Sequence, residues 1–326
     1  MWLAREPLRF TPVEKISLSD LIHISCRQGP CAKGGRLKHL IVNADDFGMC
    51  RGVNTGIVDG YHQGIIRSTT LMANGDDFED AVARAKEATG LGVGCHLVLL
   101  GGHPVAPPAS VRSLLDAQGM FPNDFGVFTR KLMAGRLKYT EIVTEFRAQI
   151  ERILNSGLRL THLDSHKHSH AHPTVLDAVL EVAETYHIPA IRKPFECFWW
   201  APLATLRAGS KLTLLKQKAS RAAMSHYGRT FRSKVARHTI GVPDQFYGFM
   251  HTGLLTPELV ATLIARLPEG VSELMCHPAH MDESLRQYKT RLKESRVNEL
   301  ETMTSPLVRE AIQTQNIQLV NFSIFQ

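Results

Sequence analysis

From residue 38 onward, short apolar runs alternate with amphipathic stretches, and several of the runs close on acids or histidine. "HLIVNADDFG" opens the series, an apolar run ended by two acids and a glycine, as a buried strand entering a functional loop would be. "VNTGIVDGYHQGII" follows at helical spacing, with Ile57, Val58 and Tyr61 inward and a stop near Gly64. "STTLMAN" reads as a second strand. "DDFEDAVARAKEAT" reads as a helix with Phe78, Ala81, Val82 and Ala85 on one side and acids at its start. "LGVGCHLVLL" is a third strand and "YTEIVTEFRAQIERILNSG" a strongly amphipathic helix. "RLTHLDSH" is the next strand and "TVLDAVLEVAETYH" the next helix, while "IPAIRKP" and "SELMCHPAH" read as two further short strands. Strands alternating with helices argue a parallel α/β sheet. The repeated unit and the length of 326 residues favour a (β/α) barrel over an open doubly wound sheet. No GxGxxG follows the first strand, so dinucleotide binding has no support.

Several function classes drop out early. No apolar run approaches the roughly 20 residues of a membrane helix. The opening "MWLAREPLRFTPVEK" is charged early and does not read as a secretory signal. The six cysteines (Cys26, Cys31, Cys50, Cys95, Cys197 and Cys276) form no disulfide framework, and the expectation is a reduced, cytoplasmic protein. Residues 1–36 lack clear periodicity and read as a poorly ordered N-terminal extension, leaving 37–326 as a single barrel domain. The net charge of +7 is uneven: between Trp200 and Pro243 there is no Asp or Glu, against nine Lys and Arg. The segment 198–243 therefore reads as a basic insertion, either a solvated helical face or a contact for an acidic partner. Trp199 and Trp200 beside cations fit an anionic membrane surface, met peripherally on the inner face. No nucleic-acid motif accompanies the charges, so nucleic acid is not expected.

In a parallel α/β barrel the chemistry gathers at the C-terminal ends of the strands. Here the first strand ends in Asp45-Asp46, the third near His96, the fourth in Asp164-Ser165-His166, and a late one in Cys276-His277-Pro278. Each alone has a plain explanation: aspartates cap turns, and a single histidine is an ordinary strand or turn residue. Four separate segments delivering ligands or proton carriers to one rim are hard to explain as packing. In "THLDSHKHSHAHP", His162, Asp164, His166, His168, His170 and His172 share one parity, so an extended segment would carry every imidazole on one face. Only three or four of these groups could serve one ion.

The pieces "LIVNADDFG", "GIIRSTTLMANG", "LGVGCHLVL", "THLDSHKHSH", "IRKP" and "MCHPAH" together resemble the YdjC family of carbohydrate deacetylases. "HLVLLGGHPVAPP", "AQIERILNSGLRLTHLDSH" and "FYGFMHTG" resemble its hopanoid-biosynthesis-associated branch. The resemblance implies a distorted (β/α) barrel of the polysaccharide-deacetylase type and one divalent metal. It implies Asp46, His96 and His166 as ligands, Asp45 as base, and His277 as general acid; the departing amine needs a proton, which His277 is expected to give from the opposite side of the rim. Arg192 would orient the base, and Asp164, His168 and His170 would contact substrate or support the ligands. The metal implied is magnesium, although two imidazoles and one carboxylate physically favour zinc, cobalt, manganese or iron. The expected substrate is an acetylated amino sugar, either an oligosaccharide or a hopanoid-linked glycolipid, and a homodimer is a compatible assembly. Two other functions compete. A metal-dependent phosphoesterase or amidohydrolase would use His166-Lys167-His168 as its HxH element and hold two ions. A non-catalytic metal or sugar binder would need neither Asp45 nor His277.

Overall fold

In β1, Lys38–Phe47, Leu40, Ile41 and Val42 are fully buried, because the strand is covered on both faces. Leu40, Val42 and Ala44 join the main apolar core with helix residues such as Val53 and Ile57. Ile41, of the other parity, instead packs with Ala190 and Phe322 in a small separate cluster. This is a computed structural model, and it describes residues 37–196, 199 and 211–326. The N-terminal segment 1–36 and Phe198, Trp200, Leu203, Leu206 and Arg207 of the basic segment lie outside the described residues.

The elements follow in order: α1 Arg51–His62, β2 Ser68–Leu71, α2 Phe78–Glu87, β3 Gly92–Leu97, α3 Phe125–Met133, α4 Tyr139–Asn155, β4 Leu163–Ser165, α5 Pro173–Thr185, α6 Lys211–Ser225, α7 Gly228–Val235 and β5 Gln245–Tyr247. The chain ends with α8 Pro257–Ile264, β6 Gly270–Cys276, α9 Glu283–Gln287, α10 Glu294–Met303, α11 Pro306–Thr314 and β7 Gln318–Val320. All strand pairs are parallel, in the order β4-β3-β2-β1-β6-β5, with β7 beside the start of β1. Two single-residue bridges, Leu163 with Ile191 and Ala190 with Gly241, carry the circuit from β4 toward β5. The fold is thus the expected α/β barrel, distorted where "IPAIRKP" supplies bridges rather than a full strand. The C-terminal turn Phe322–Phe325 brings Phe322 against Ile41 and Ala190 inside the curl.

Beyond that apolar plug the interior turns polar. Asn43, Asp45, Thr70, His96, Asp164, Arg192 and Glu273, from six segments, are all at least 98% buried. Buried charges are tolerated only when paired and hydrogen-bonded, so this interior demands a network. Glycine makes room for it on β3: a Cβ on Gly94 would lie 2.4 Å from the His162 ring. On α1, a Cβ on Gly56 would lie 2.5 Å from Ala279 Cα, so the helix packs directly on the loop that follows His277.

The basic segment forms α6 and α7. Phe231 and Val235 of α7 are buried, and Phe195 meets Phe231. Lys234 Nζ pairs with Asp177 of α5 at 2.6 Å, and Arg221 Nε donates to the Glu196 carbonyl at 3.0 Å. Part of the positive charge is therefore spent on packing, while Lys216, Lys218, Arg229, Arg232 and Arg237 remain exposed. Among the described residues no helix is long and apolar enough to cross a membrane.

Candidate metal centre

β1 and β6 are in register at Ala44 and Cys276, so Asp45-Asp46 and His277 leave the sheet side by side. This corrects the expectation that His277 reaches in from the opposite side of the rim. Two residues on, the pairing of β1 with β2 slips between Ala44 and Phe47, and Asp46 takes a left-handed φ of 71°. The irregularity turns the two neighbouring carboxylates to different tasks.

Asp46 Oδ1 lies 3.4 Å from His96 Nε2 and 3.2 Å from His166 Nδ1, and these two nitrogens are 3.3 Å apart. Donor atoms about 2.0–2.2 Å from a shared tetrahedral zinc would be separated by roughly the same distances. The remaining Asp46 oxygen, Oδ2, accepts from Arg296 Nη2 of α10. His96 Nδ1 donates to Asp164 Oδ1 at 2.7 Å, which leaves Nε2 as the coordinating atom. The donor set and its supporting contacts therefore fit one divalent cation, with Asp46, His96 and His166 as the residues that would hold it. Burial opposes charge on Asp46, yet Arg296 and the hydrogen bonds to His166 and His96 hold its carboxyl well below the usual range. Burial likewise opposes protonation of His96, but Asp164, then the contacts with Asp46 and Asp45, raise it to about 10. Burial lowers His166, with Asp46 pulling the other way.

Behind the triangle lies a four-charge cluster. Arg192 is fully buried; its Nη1 and Nη2 each donate to one Asp45 oxygen at 2.7 Å. Nη1 also meets Asp164 Oδ2 at 2.6 Å, and Nε donates to Glu273 Oε1 at 2.6 Å. Asn43 Nδ2 adds a bond to Asp45 at 2.9 Å. Asp45, His96 and Asp164 form a second set of clustered donors. The guanidinium already binds both of its carboxylates, which disfavours a second ion there and so the two-metal phosphoesterase.

The histidine-rich segment does not stay extended. His166–Ala171 closes into a 3-10 turn, with Lys167 and His168 at φ of 53° and 54°. The shared parity therefore scatters the rings. His162 stacks on Phe322 at 3.7 Å in the interior, and burial lowers it to about 3. His170 is fully buried; its Nε2 donates to the Arg192 carbonyl at 3.1 Å while Nδ1 lies 2.5 Å from Ser165 Oγ. That residue braces the backbone of Arg192 and does not face an open site. His172 caps α5, accepting from Thr174 N at 3.3 Å. His168 packs edge-on against Phe246 and Phe249.

Sequence reasoning missed Glu273, Arg296 and Glu299. Glu299 Oε2 accepts from His277 N at 2.6 Å and lies 3.8 Å from His277 Nδ1. Arg296, Glu299, Leu300 and Met303 follow helical spacing, so two opposite charges fall on the stripe that α10 buries. That pairing of buried-face positions was the available signal.

Fold and site together define a parallel (β/α) barrel with a candidate single-metal centre at the strand ends. A family model described as YdjC-like protein matches residues 39–314, and the chain belongs to the YdjC family. A carbohydrate deacetylase of Brevibacillus brevis (strain 47) is 37% identical over 284 residues, spanning 87% of this chain and 98% of its own. A chitooligosaccharide deacetylase of Enterobacter sp. (strain 638) is 33% identical over 288 residues, with 87% and 98% covered. A crystal structure from Enterococcus faecalis V583, provisionally described as a cellobiose-phosphate cleavage protein, superposes with a TM-score of 0.71 at 26% identity, covering 89% of this chain and all of that one.

Proposed function

We propose that the protein is a metal-dependent carbohydrate deacetylase that hydrolyses the N-acetyl group of an acetylated amino sugar. The observation that carries this is the Asp46–His96–His166 triangle, 3.2–3.4 Å on each edge, with Asp45 next to Asp46 in sequence and His277 directly after β6, the strand paired with β1. Relatives named as carbohydrate and chitooligosaccharide deacetylases support the same activity. A divalent cation held there supplies charge stabilisation at the amide carbonyl and acidifies water. Asp45 accepts the proton of the attacking water, with Arg192 and Asn43 fixing its carboxylate in place. Water adds to the carbonyl carbon, the C–N bond breaks, and His277 gives the departing amine its proton. Glu299 holds the His277 backbone for that transfer. The products are acetate and the free amino sugar.

The family resemblance implies magnesium, whereas the two imidazoles favour a borderline cation such as zinc. Substrates in view are N-acetylglucosamine oligomers and hopanoid-linked glycolipids. The exposed cations of α6 and α7 support docking beside a lipid-anchored substrate, at about 1 kcal/mol per cation near an anionic surface. The test is metal analysis of the purified protein combined with acetate release from a panel of both substrate types. Acetate from one of them is expected, and none from any of them would defeat the proposal.

A further inference from the structure

The loop 248–254 follows β5 on the same rim as the candidate metal centre. It is pinned from both ends by buried carboxylates. Glu196 Oε2 accepts from Met250 N at 2.5 Å, and its Oε1 accepts from Gly248 N at 3.4 Å and Trp199 Nε1 at 3.3 Å. Glu299 Oε1 accepts from Gly253 N at 2.7 Å, while its other oxygen holds His277 N. Gly248 and Gly253 both have positive φ, 107° and 77°, and a Cβ on Gly248 would lie 2.3 Å from Met275 O of β6. The loop is therefore laid directly on the sheet edge. Burying two carboxylates to satisfy backbone N–H groups is expensive when a plain turn would satisfy them. Burial pushes Glu196 up to about 7 in spite of its donors. Such an investment makes sense where a wall must be rigid before a ligand arrives.

What the loop presents is Phe249. It is half-buried, and its ring meets that of His168 at 5.2 Å, edge to face. His168 is only two residues beyond His166, is 8% exposed and has a left-handed φ of 54°. Its Nδ1 is buried without a hydrogen-bond partner among the described residues. A non-glycine residue held in a costly conformation with an unpaired ring nitrogen is the kind of strain that functional sites retain. A half-exposed aromatic ring matches a sugar, whose C–H face packs on it, and the buried His168 ring backs Phe249 from behind.

We propose that Phe249 and His168 form the shelf on which the ring of the acetylated sugar rests, and that Glu196 and Glu299 are positioning residues that hold the shelf. The assignment rests on the deacetylase function above and adds a subsite to it. It is tested by titrating the N-acetylglucosamine dimer into metal-loaded Asp45→Asn protein, where turnover is suppressed, and reading Kd by calorimetry. Phe249→Ala in that background should weaken binding about 10-fold or more, as loss of a buried aromatic contact implies. Metal affinity should stay unchanged. Glu196→Ala should weaken the sugar in the same sense, and Glu196→Gln, which keeps an acceptor for Met250 N, should recover most of the loss. Thermal melts confirm that each variant is folded. Phe249→Ala protein that binds the dimer as tightly as its parent would overturn the shelf, while acetate release by the wild type would leave the deacetylase function standing. Absence of both sugar binding and acetate release in the wild type would remove the function and the shelf together.

Discussion

Glu273→Gln and Arg192→Met alter the two ends of one buried 2.6 Å ion pair, and they should move stability in opposite directions. Burial raises Glu273 from an ordinary value of 4.5 to about 7, against the pull of Arg192, and Glu273 Oε2 finds no partner among the described residues. A carboxyl raised on folding contributes stability fully below its unfolded pKa and loses it as pH rises through the folded value. The shift of about 2.5 units corresponds to about 3 kcal/mol lost between pH 4.5 and 7. Glutamine keeps an acceptor for Arg192 Nε and cannot ionise. Glu273→Gln should therefore match the wild type at pH 4 and be about 3 kcal/mol more stable at pH 8. That corresponds to a melting temperature higher by ~6 °C at about 2 °C per kcal/mol. Arg192→Met leaves Asp45, Asp164 and Glu273 buried without their cation, and breaking a buried pair this way costs about 3–5 kcal/mol. The assay is thermal unfolding of chelator-treated protein from pH 4 to 8. A Glu273→Gln protein less stable than the wild type at pH 8, or displaced equally at every pH, would refute the reasoning.

Three further outcomes follow from the same geometry. Asp45→Asn and His277→Ala should keep the metal but lose about 100-fold or more in kcat; variants that keep the ion and turn over at the wild-type rate would contradict these roles. With His96 raised to about 10 and Asp164 holding its Nδ1 proton, the metal displaces a proton from Nε2, so calorimetry at pH 7.5 in buffers of different ionisation enthalpy should report about one proton released per ion. Co-sedimentation with anionic liposomes should be salt-sensitive and weaken when Lys211, Lys216 and Lys218 become Gln; no binding at low salt would leave the exposed cations a solvated face.

The parts of this molecule that could be read in its sequence are those governed by local period and by the strand-end rule. β1, β3 and β6 announce themselves as apolar runs, and the barrel rule converts their ends into a rim bearing Asp45, Asp46, His96 and His277. Reading failed where the backbone leaves its period. After Ser165 the chain turns left-handed at Lys167 and His168, so alternation no longer predicts direction, and the four imidazoles beyond Ser165 fall in four separate environments. "IPAIRKP" lacks a continuous ladder, and β5 is only three residues long, too short to carry a pattern. Arg296 binds Asp46 across 250 positions, and Glu299 reaches back 22 to His277. Partners brought together by folding leave no mark on spacing, and only the opposite charges on the buried stripe of α10 hinted at them.

In the proposed function, one ion held by Asp46, His96 and His166 enables release of acetate. The most direct measurement is acetate release from N-acetylglucosamine oligomers by chelator-treated protein, before and after adding back zinc or magnesium, with bound metal quantified in parallel. The wild type should hold about one ion and be active only when it is loaded. His96→Ala should neither bind the ion nor release acetate, while His168→Ala and His172→Ala retain the metal. Full acetate release by the chelated enzyme, or normal metal binding by His96→Ala, would contradict the account.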